Sequence, residues 1–222
     1  MFQIKICGVC RTEDATAIAH SGADAIGLNF YRPSPRSVSL NRAEETAQAI
    51  RLIASPESLA IVGVFVNAPL DQIEQTIAQV GLDWVQLHGD ETVDSYPEIS
   101  VPVIRAIRFL DVVTTNQQIA QWQEWGAQAI LLDANTTTGY GGTGEKVDWG
   151  DAKPVVRTLP IVLAGGLTPD NVAQAIRTFR PAAIDAASGV ESSPGIKDLS
   201  LVNALVRESQ PALKEFDSST DA

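Results

Sequence analysis

The chain has 222 residues, 45% of them apolar and 19% charged, which is enough material for one sizeable core and excludes a disordered chain. Lys and Arg total 16 against 27 Asp and Glu, a net charge of −11 with no basic block, which excludes the phosphate-neutralising footprint of a nucleic-acid binder. No apolar run approaches the roughly 18 residues of a membrane span, and the amino terminus MFQIKICG lacks the apolar segment and cleavage site of a signal peptide. A soluble, cytoplasmic protein with neither membrane nor nucleic-acid partners is expected.

In chain order, short apolar runs fall at 3–7, 24–30, 59–66, 83–88, 103–109, 128–133, 160–164 and 182–186. They are rich in Val, Ile and Leu and do not alternate with polar residues, as parallel strands covered on both faces require. Helical patterns separate them. Over 41–54, Asn41 and Glu44 have capping-box spacing, and Ala43, Ala47, Ile50 and Ile53 form one stripe. Over 69–80, Leu70, Ile73, Ile77 and Val80 recur after Pro69. Over 168–179, Thr168 suits the N-cap and Pro169 the first turn, with Val172, Ile176 and Phe179 facing inward. The segments 91–98 and 150–158 are weaker helical candidates. His20, late in the first helical pattern, is expected to be exposed.

Alternating strands and helices admit a closed (β/α)8 barrel or an open doubly wound sheet. A quasi-repeat favours closure: Gly22-Ala-Asp-Ala-Ile-Gly-Leu, Gly81-Leu-Asp-Trp-Val-Gln-Leu and Gly126-Ala-Gln-Ala-Ile-Leu-Leu, with Arg180-Pro-Ala-Ala-Ile-Asp-Ala as a degenerate fourth. Each opening glycine ends a helix in a left-handed residue. Repetition every two β/α units is the imprint of layers built from alternate strands. The expectation is an α/β protein, a single (β/α)8 TIM barrel over residues 1–213, followed by a flexible acidic tail at 214–222.

The carboxyl ends of barrel strands carry the chemistry. Gly165 and Gly166 follow the seventh strand, and Ala187, Ser188 and Gly189 the eighth, the usual phosphate cradle of this fold. Cys7 and Asp133 end the first and sixth. A cysteine in an apolar strand is ordinarily a small hydrophobe, and an aspartate after one ordinarily a cap or turn residue. Cys7-Gly-Val-Cys10 also admits a thiol–disulfide oxidoreductase, though that leaves both glycine loops unexplained. A metal-dependent sugar-phosphate epimerase on the same barrel would want several ligands, and only His88 of the two histidines sits at a strand end.

From about Gln3 to Ser209 the sequence resembles the phosphoribosylanthranilate isomerase family of tryptophan biosynthesis. The matching pieces are Lys5-Ile-Cys-Gly8, Gly22-Ala-Asp-Ala-Ile-Gly27, Ser34-Pro-Arg36, Gln86-Leu-His-Gly89, Leu131-Leu-Asp133, Gly141-Gly-Thr-Gly144 with Trp149, Leu163-Ala-Gly-Gly-Leu167 and Asp185 to Glu191. The resemblance implies an Amadori rearrangement of N-(5′-phosphoribosyl)anthranilate to 1-(2-carboxyphenylamino)-1-deoxyribulose 5-phosphate, without metal or organic cofactor. It makes Cys7 the general base, at least partly thiolate, and Asp133 the general acid. Arg36 becomes the partner of the anthranilate carboxylate, while Gln86, His88 and Asp185 line the mouth. The implied partner is one phosphorylated small molecule, in a monomer or a homodimer. Ala187 stands where the family often has Ser or Asn, and Cys10 where it more often has a hydroxyl residue. The Gly/Thr-rich segment 134–148 has the composition of a lid.

Overall fold

The computed structural model describes residues 1–55, 57–133 and 149–217. Eight parallel strands close into a ring in chain order: β1 (Ile4–Cys7), β2 (Ala25–Asn29), β3 (Ala60–Phe65), β4 (Trp84–Leu87), β5 (Val103–Arg108), β6 (Ala129–Asp133), β7 (Ile161–Ala164) and β8 (Ala183–Ala186). The helices are α1 (Thr12–Ala19), α2 (Leu40–Arg51), α3 (Leu70–Val80), α4 (Val112–Trp125), α5 (Val172–Phe179) and α6 (Leu199–Asp217). A small hairpin, β9 (Glu191–Ser193) with β10 (Ile196–Lys197), intervenes between β8 and α6. The expected (β/α)8 barrel is therefore present, with β1 pairing β8 so that no edge remains.

Closure follows from where each strand puts its side chains. Outward residues such as Ile4, Ile6, Ile26, Leu28 and Ile61 join the helices in one large apolar cluster. Inward residues form a separate cluster, mostly small: Ala25, Val62, Ala106, Leu131, Val162 and Ala183 among them. Phe2 packs edge-on against Trp84, ring centroids 5.9 Å apart, within this inner cluster. Further along the strands the buried set turns polar, with Lys5, Gln86, Asp133 and Asp185 all under 8% exposed.

The quasi-repeat has a physical basis. Its opening position is left-handed each time: Gly22, Gly81 and Gly126 have φ of 89°, 71° and 106°, and Arg180 takes the same region at 57°. Two residues on, the backbone N–H donates to a carbonyl at the start of the preceding odd strand: Asp24 to Ile4 O, Asp83 to Ile61 O, Gln128 to Val103 O and Ala182 to Ile161 O. The side chain at that position answers with an acceptor. Asp24 takes the N–H groups of Gln3 and Ile4, at 3.0 and 2.7 Å. Asp83 takes Ile61 N–H at 2.7 Å, and Gln128 takes Val103 N–H at 2.6 Å. Ala182 in the degenerate copy has no such acceptor.

Several local expectations give way to nearby partners. Helix α2 is capped by Ser39, whose Oγ accepts from Arg42 N–H, rather than by Asn41. Glu44 instead meets Gln48 and Gln79, and Ile53 falls beyond the helix and is exposed. Helix α5 begins at Val172, not at Thr168. Asn171 spans the preceding turn, accepting from Thr168 N–H and donating to Gly166 O. Of 91–98 only a 3-10 turn at Val93–Ser95 forms, because Glu91 is drawn into a buried pair with Arg105. Residues 150–158 are turns, consistent with Pro154 lacking an N–H. Helix α6 continues through 214–217, which composition placed in the tail, and Arg177 pairs with Glu215 on its surface at 3.0 Å. Residues 218–222, and the lid expected at 134–148, lie outside the described residues.

If the repeat's polar position fastens each odd strand, Asp24→Ala leaves two N–H groups at the start of β1 without their acceptor. Stability should fall by about 1–3 kcal/mol, measured by urea unfolding at neutral pH; an unchanged midpoint would show that water replaces the carboxylate at no cost.

Candidate active site

A cleft of about 740 Å³ opens at the carboxyl ends of the strands. Cys7, Arg36, His88, Asp133, Asp185, Gly165, Gly166, Ala187, Ser188 and Gly189 all line it, together with Asn29, Tyr31 and Ser34. Gln86 does not, contrary to expectation. It is fully buried behind His88, because it lies two residues earlier on the same inward face of β4.

The glycine loops are shaped by conformation and contact. Gly165 and Gly166 both have positive φ, 96° and 66°, a pair that residues with side chains rarely adopt. Gly189 is needed for a different reason: a Cβ there would lie 1.9 Å from Leu167 O. The loops after β7 and β8 therefore touch backbone to backbone and present one surface of peptide groups.

Arg36 is placed by its own loop and by a carboxylate. Ser34 Oγ accepts from Arg36 N–H at 3.2 Å, and Asn29 Nδ2 donates to the same oxygen. Gly8, with φ of 72°, leaves room for the Arg36 stem; a Cβ there would sit 2.5 Å from Arg36 Cδ. Glu191 takes Arg36 Nε and Nη2 at 2.9 and 2.7 Å. The Nε–Nη2 edge of the guanidinium is thus spent inside the protein.

Glu191 also accepts from Lys197 Nζ at 2.8 Å. That buried ammonium donates further to the carbonyls of Cys7 and Ala187, at 2.6 and 3.1 Å. Lys197 therefore fastens the end of β1 to the loop after β8. Glu191 closes the last matching piece of the sequence but has no role there, and Lys197 has no signal at all, since the hairpin that carries them is not the end of a barrel strand.

Lys5 is a further site residue to which neither strand ends nor the resemblance gives a role. It is fully buried within β1, and its Nζ donates to Asp185 Oδ1 at 2.8 Å. The available signal was its spacing of two from Cys7, which puts both on the inward face, since lysines are almost never fully buried unless paired. Burial pushes the Cys7 thiol up, with Asp185 adding to the effect, and Lys5 and Lys197 only partly oppose it. The sulfur therefore holds its proton more firmly than an ordinary cysteine, against the partly thiolate state that the resemblance implies.

On the opposite wall, Gln86 Nε2 donates to His88 Nδ1 at 2.7 Å, which puts the imidazole hydrogen on Nε2. That nitrogen is buried, has no hydrogen-bond partner among the described residues, and lies 3.8 Å from Asp133 Oδ2. The loop behind His88 is held rigidly. Glu91 accepts from Asn67 N–H and Gly89 N–H, and Arg105 donates to Gly89 O while its guanidinium lies over the Trp122 ring.

Cys7 and Cys10 are both free thiols. Cys7 Sγ lies against Gly27 of β2, whereas Cys10 Sγ lies against Gly195 in the β9–β10 turn and donates weakly to Gly8 O at 3.7 Å. The two sulfurs thus face different elements. Among the described residues no three His, Cys, Asp or Glu side chains cluster as metal ligands would, and no helix is long and apolar enough to cross a membrane.

Glu191 joins two cations, so its charge should matter to stability at low pH. Burial pushes its carboxyl up, but hydrogen bonds and charges from Arg36 and Lys197 outweigh that and hold it below the ordinary value. A depressed carboxyl contributes stability that is complete above the unfolded value, about 4.3, and lost as pH falls through the folded one. Glu191→Gln should therefore be less stable near neutrality and should lose less on acidification below about pH 4, as followed by urea unfolding at several pH values. An acid limb identical to the parent's would show that Glu191 does not carry it.

The family model described as N-(5'phosphoribosyl)anthranilate (PRA) isomerase matches residues 4–208. An N-(5'-phosphoribosyl)anthranilate isomerase of Trichlorobacter lovleyi is 44% identical over 214 residues, spanning 96% of this chain and all of the relative. The crystal structure of phosphoribosyl anthranilate isomerase from Thermotoga maritima superimposes with a TM-score of 0.82 at 34% identity, covering 95% of this chain and 100% of the other. Another solved phosphoribosyl anthranilate isomerase, in complex with reduced 1-(o-carboxyphenylamino)-1-deoxyribulose 5-phosphate, gives 0.77 at 32% identity, covering 95% and 100%.

Proposed function

The chain belongs to the N-(5'-phosphoribosyl)anthranilate isomerase family, and from that premise we propose how its own residues carry out the isomerisation. The protein is an isomerase of tryptophan biosynthesis. The observation that carries the assignment of roles is the order of strands around one cleft. Cys7 ends β1 and Asp133 ends β6, and between them stand β7 and β8 with the two glycine loops.

A phosphoribosyl group anchored by its phosphate at those loops has its sugar carbons between an acid and a base. The peptide N–H groups of Gly165, Gly166, Ala187, Ser188 and Gly189 are the anchoring donors, with Ser188 Oγ beside them. Ala187 contributes no polar side chain, and its carbonyl is held by Lys197. Asp133 gives its proton to the ring oxygen as the C1′–O bond breaks, leaving an iminium that serves as electron sink. Only the fraction of enzyme in which Cys7 has lost its proton to solvent can then take the C2′ proton, and the resulting enolamine tautomerises to the ketose. Once Asp133 is a carboxylate, the Nε2–H of His88 faces it, and Gln86 keeps that hydrogen in place.

The anthranilate end lies toward the loop after β2, where the Nη1 side of Arg36 meets its carboxylate and Asn29, Tyr31 and Ser34 complete the wall. Asp185 is both a cleft residue and the counter-ion of Lys5. A base of this kind must stay a free thiol, which a reducing cytoplasm maintains for Cys7 and Cys10 alike. The reading accommodates a monomer or a homodimer, because every group it uses lies within one chain.

Turnover of N-(5′-phosphoribosyl)anthranilate by the purified protein, under reducing conditions, tests the assignment. Asp133→Asn keeps the shape of the acid but is a very poor proton donor, so kcat should drop by about 10²-fold or more while product analogues still bind. Cys7→Ser should be impaired as severely, and Cys10→Ser should keep most activity. Equal and complete loss in both cysteine variants would favour a redox pair instead.

Arg36→Ala should act mainly on binding. Loss of a charge-assisted contact of about 1.5–3 kcal/mol raises KM about tenfold or more with a smaller change in kcat. An unchanged KM would remove Arg36 from the anthranilate subsite.

A further inference from the structure

Lys5 is a fully buried cation at the polar end of the barrel interior that the reaction as described does not use. It stands two residues before Cys7 on β1, so both side chains enter the barrel from the same face. They also share one small space. A Cβ built on Gly27 of β2 would lie 2.7 Å from Cys7 Sγ and 3.1 Å from Lys5 Nζ, so the sulfur and the ammonium jointly occupy the place a β2 side chain would fill. The register pairs Lys5 with Asp185 of β8, and Nζ donates to Asp185 Oδ1 at 2.8 Å.

We propose that Lys5 is a positioning residue whose ammonium, contested between the Asp185 carboxylate and the Cys7 sulfur, decides whether that sulfur carries a proton. The consequence for turnover rests on Cys7 acting as the base; the charge coupling itself does not.

The other charged groups facing Cys7 are accounted for differently. Lys197 of β10 engages the Cys7 carbonyl rather than the sulfur, and Arg36 approaches from the loop after β2. Both share the one carboxylate of Glu191, at 2.8 and 2.7 Å, which offsets part of their charge, and Lys197 still pulls the thiol down, though less than Lys5 does. Lys5 and Asp185 form an ion pair of one cation with one carboxylate, and the sulfur sits against the ammonium of that pair. Removing either member therefore unbalances the field at the sulfur, and the two removals act in opposite directions. Without Lys5, Asp185 and burial together disfavour the thiolate. Without the Asp185 charge, the thiolate becomes the counter-ion nearest to the ammonium. This accords with burial and Asp185 pushing the thiol up while Lys5 pulls it down. Lys5 itself is held above the ordinary lysine value, because Asp185 and Cys7 outweigh its burial.

The test is ultraviolet titration of the Cys7 thiolate in a Cys10→Ser background, where Cys7 is the one remaining thiol. Lys5→Met should move the midpoint upward, so that the thiolate fraction at a fixed pH below it falls about tenfold, the change that one pH unit represents. Asp185→Asn should move it downward by a comparable factor. The double variant, which removes both charges and leaves no unpaired ion, should return close to the parent. Should Lys5→Met fail to fold, a lower midpoint in Asp185→Asn than in the double variant still isolates the effect of Lys5. Midpoints that stay together, or that move the same way in both single variants, overturn the proposal. The acidic limb of kcat/KM against pH is then measured on the same proteins. A limb that tracks the midpoints supports both the coupling and the base role. Shifted midpoints with an unmoved limb support the coupling and refute Cys7 as base.

Discussion

Pairing of β1 with β8 is the constraint on which the rest of the molecule depends. It removes the two edges that an eight-stranded parallel sheet would otherwise expose, and it brings Lys5 beside Asp185 across 180 residues of sequence. The same closure sets Cys7 against the loop at 187–189 and hands both carbonyl ends to Lys197. A single hydrogen-bonded ladder therefore makes the barrel, the polar interior and one wall of the cleft at once. Placing an ion pair inside a barrel is costly unless each charge keeps its partner, and here β8 supplies that partner by register.

Rigidity at the mouth is divided between two buried carboxylates. Glu191 ties Arg36 to Lys197 and so joins the ends of β1, β2 and β8. Glu91 ties Arg105 to the backbone at Asn67 and Gly89, which steadies the loop carrying His88. Each bridges segments that carry cleft residues while lying outside the cleft lining. Such ties hold the cleft residues in fixed relation, so that a bound molecule meets a wall that needs little reorganisation.

The barrel was legible because parallel strands covered on both faces leave uninterrupted apolar runs, and because the repeat opening at Gly22, Gly81 and Gly126 marks one geometric need. At each place a helix must stop in a left-handed residue and a polar side chain must meet the start of the strand before it. The helix starts were less legible. Ser39 caps where Asn41 had the better spacing, and Asn171 holds the turn where Thr168 had the better residue type. Capping depends on which donor the local backbone presents, and several Ser, Thr and Asn residues compete for it within a few positions.

Alone, the sequence determined the alternation of strands and helices, the closed ring, the glycine loops after β7 and β8 and, through family resemblance, Cys7, Asp133 and Arg36 as residues for the cleft. Those features are local or periodic, so spacing along the chain encodes them. The folded chain alone shows that Asp185 is the partner of Lys5, that Glu191 occupies one edge of Arg36, and that Gln86 stands behind His88 instead of lining the mouth. The Lys5–Asp185 and Arg36–Glu191 partners come from distant segments whose meeting is set by strand register and ring closure. Gln86 and His88 are close in sequence, but whether either reaches the cleft depends on its depth in the barrel. Burial decides the rest: how firmly a thiol or carboxyl holds its proton depends on the water excluded around it, and that exclusion exists only after the chain has folded.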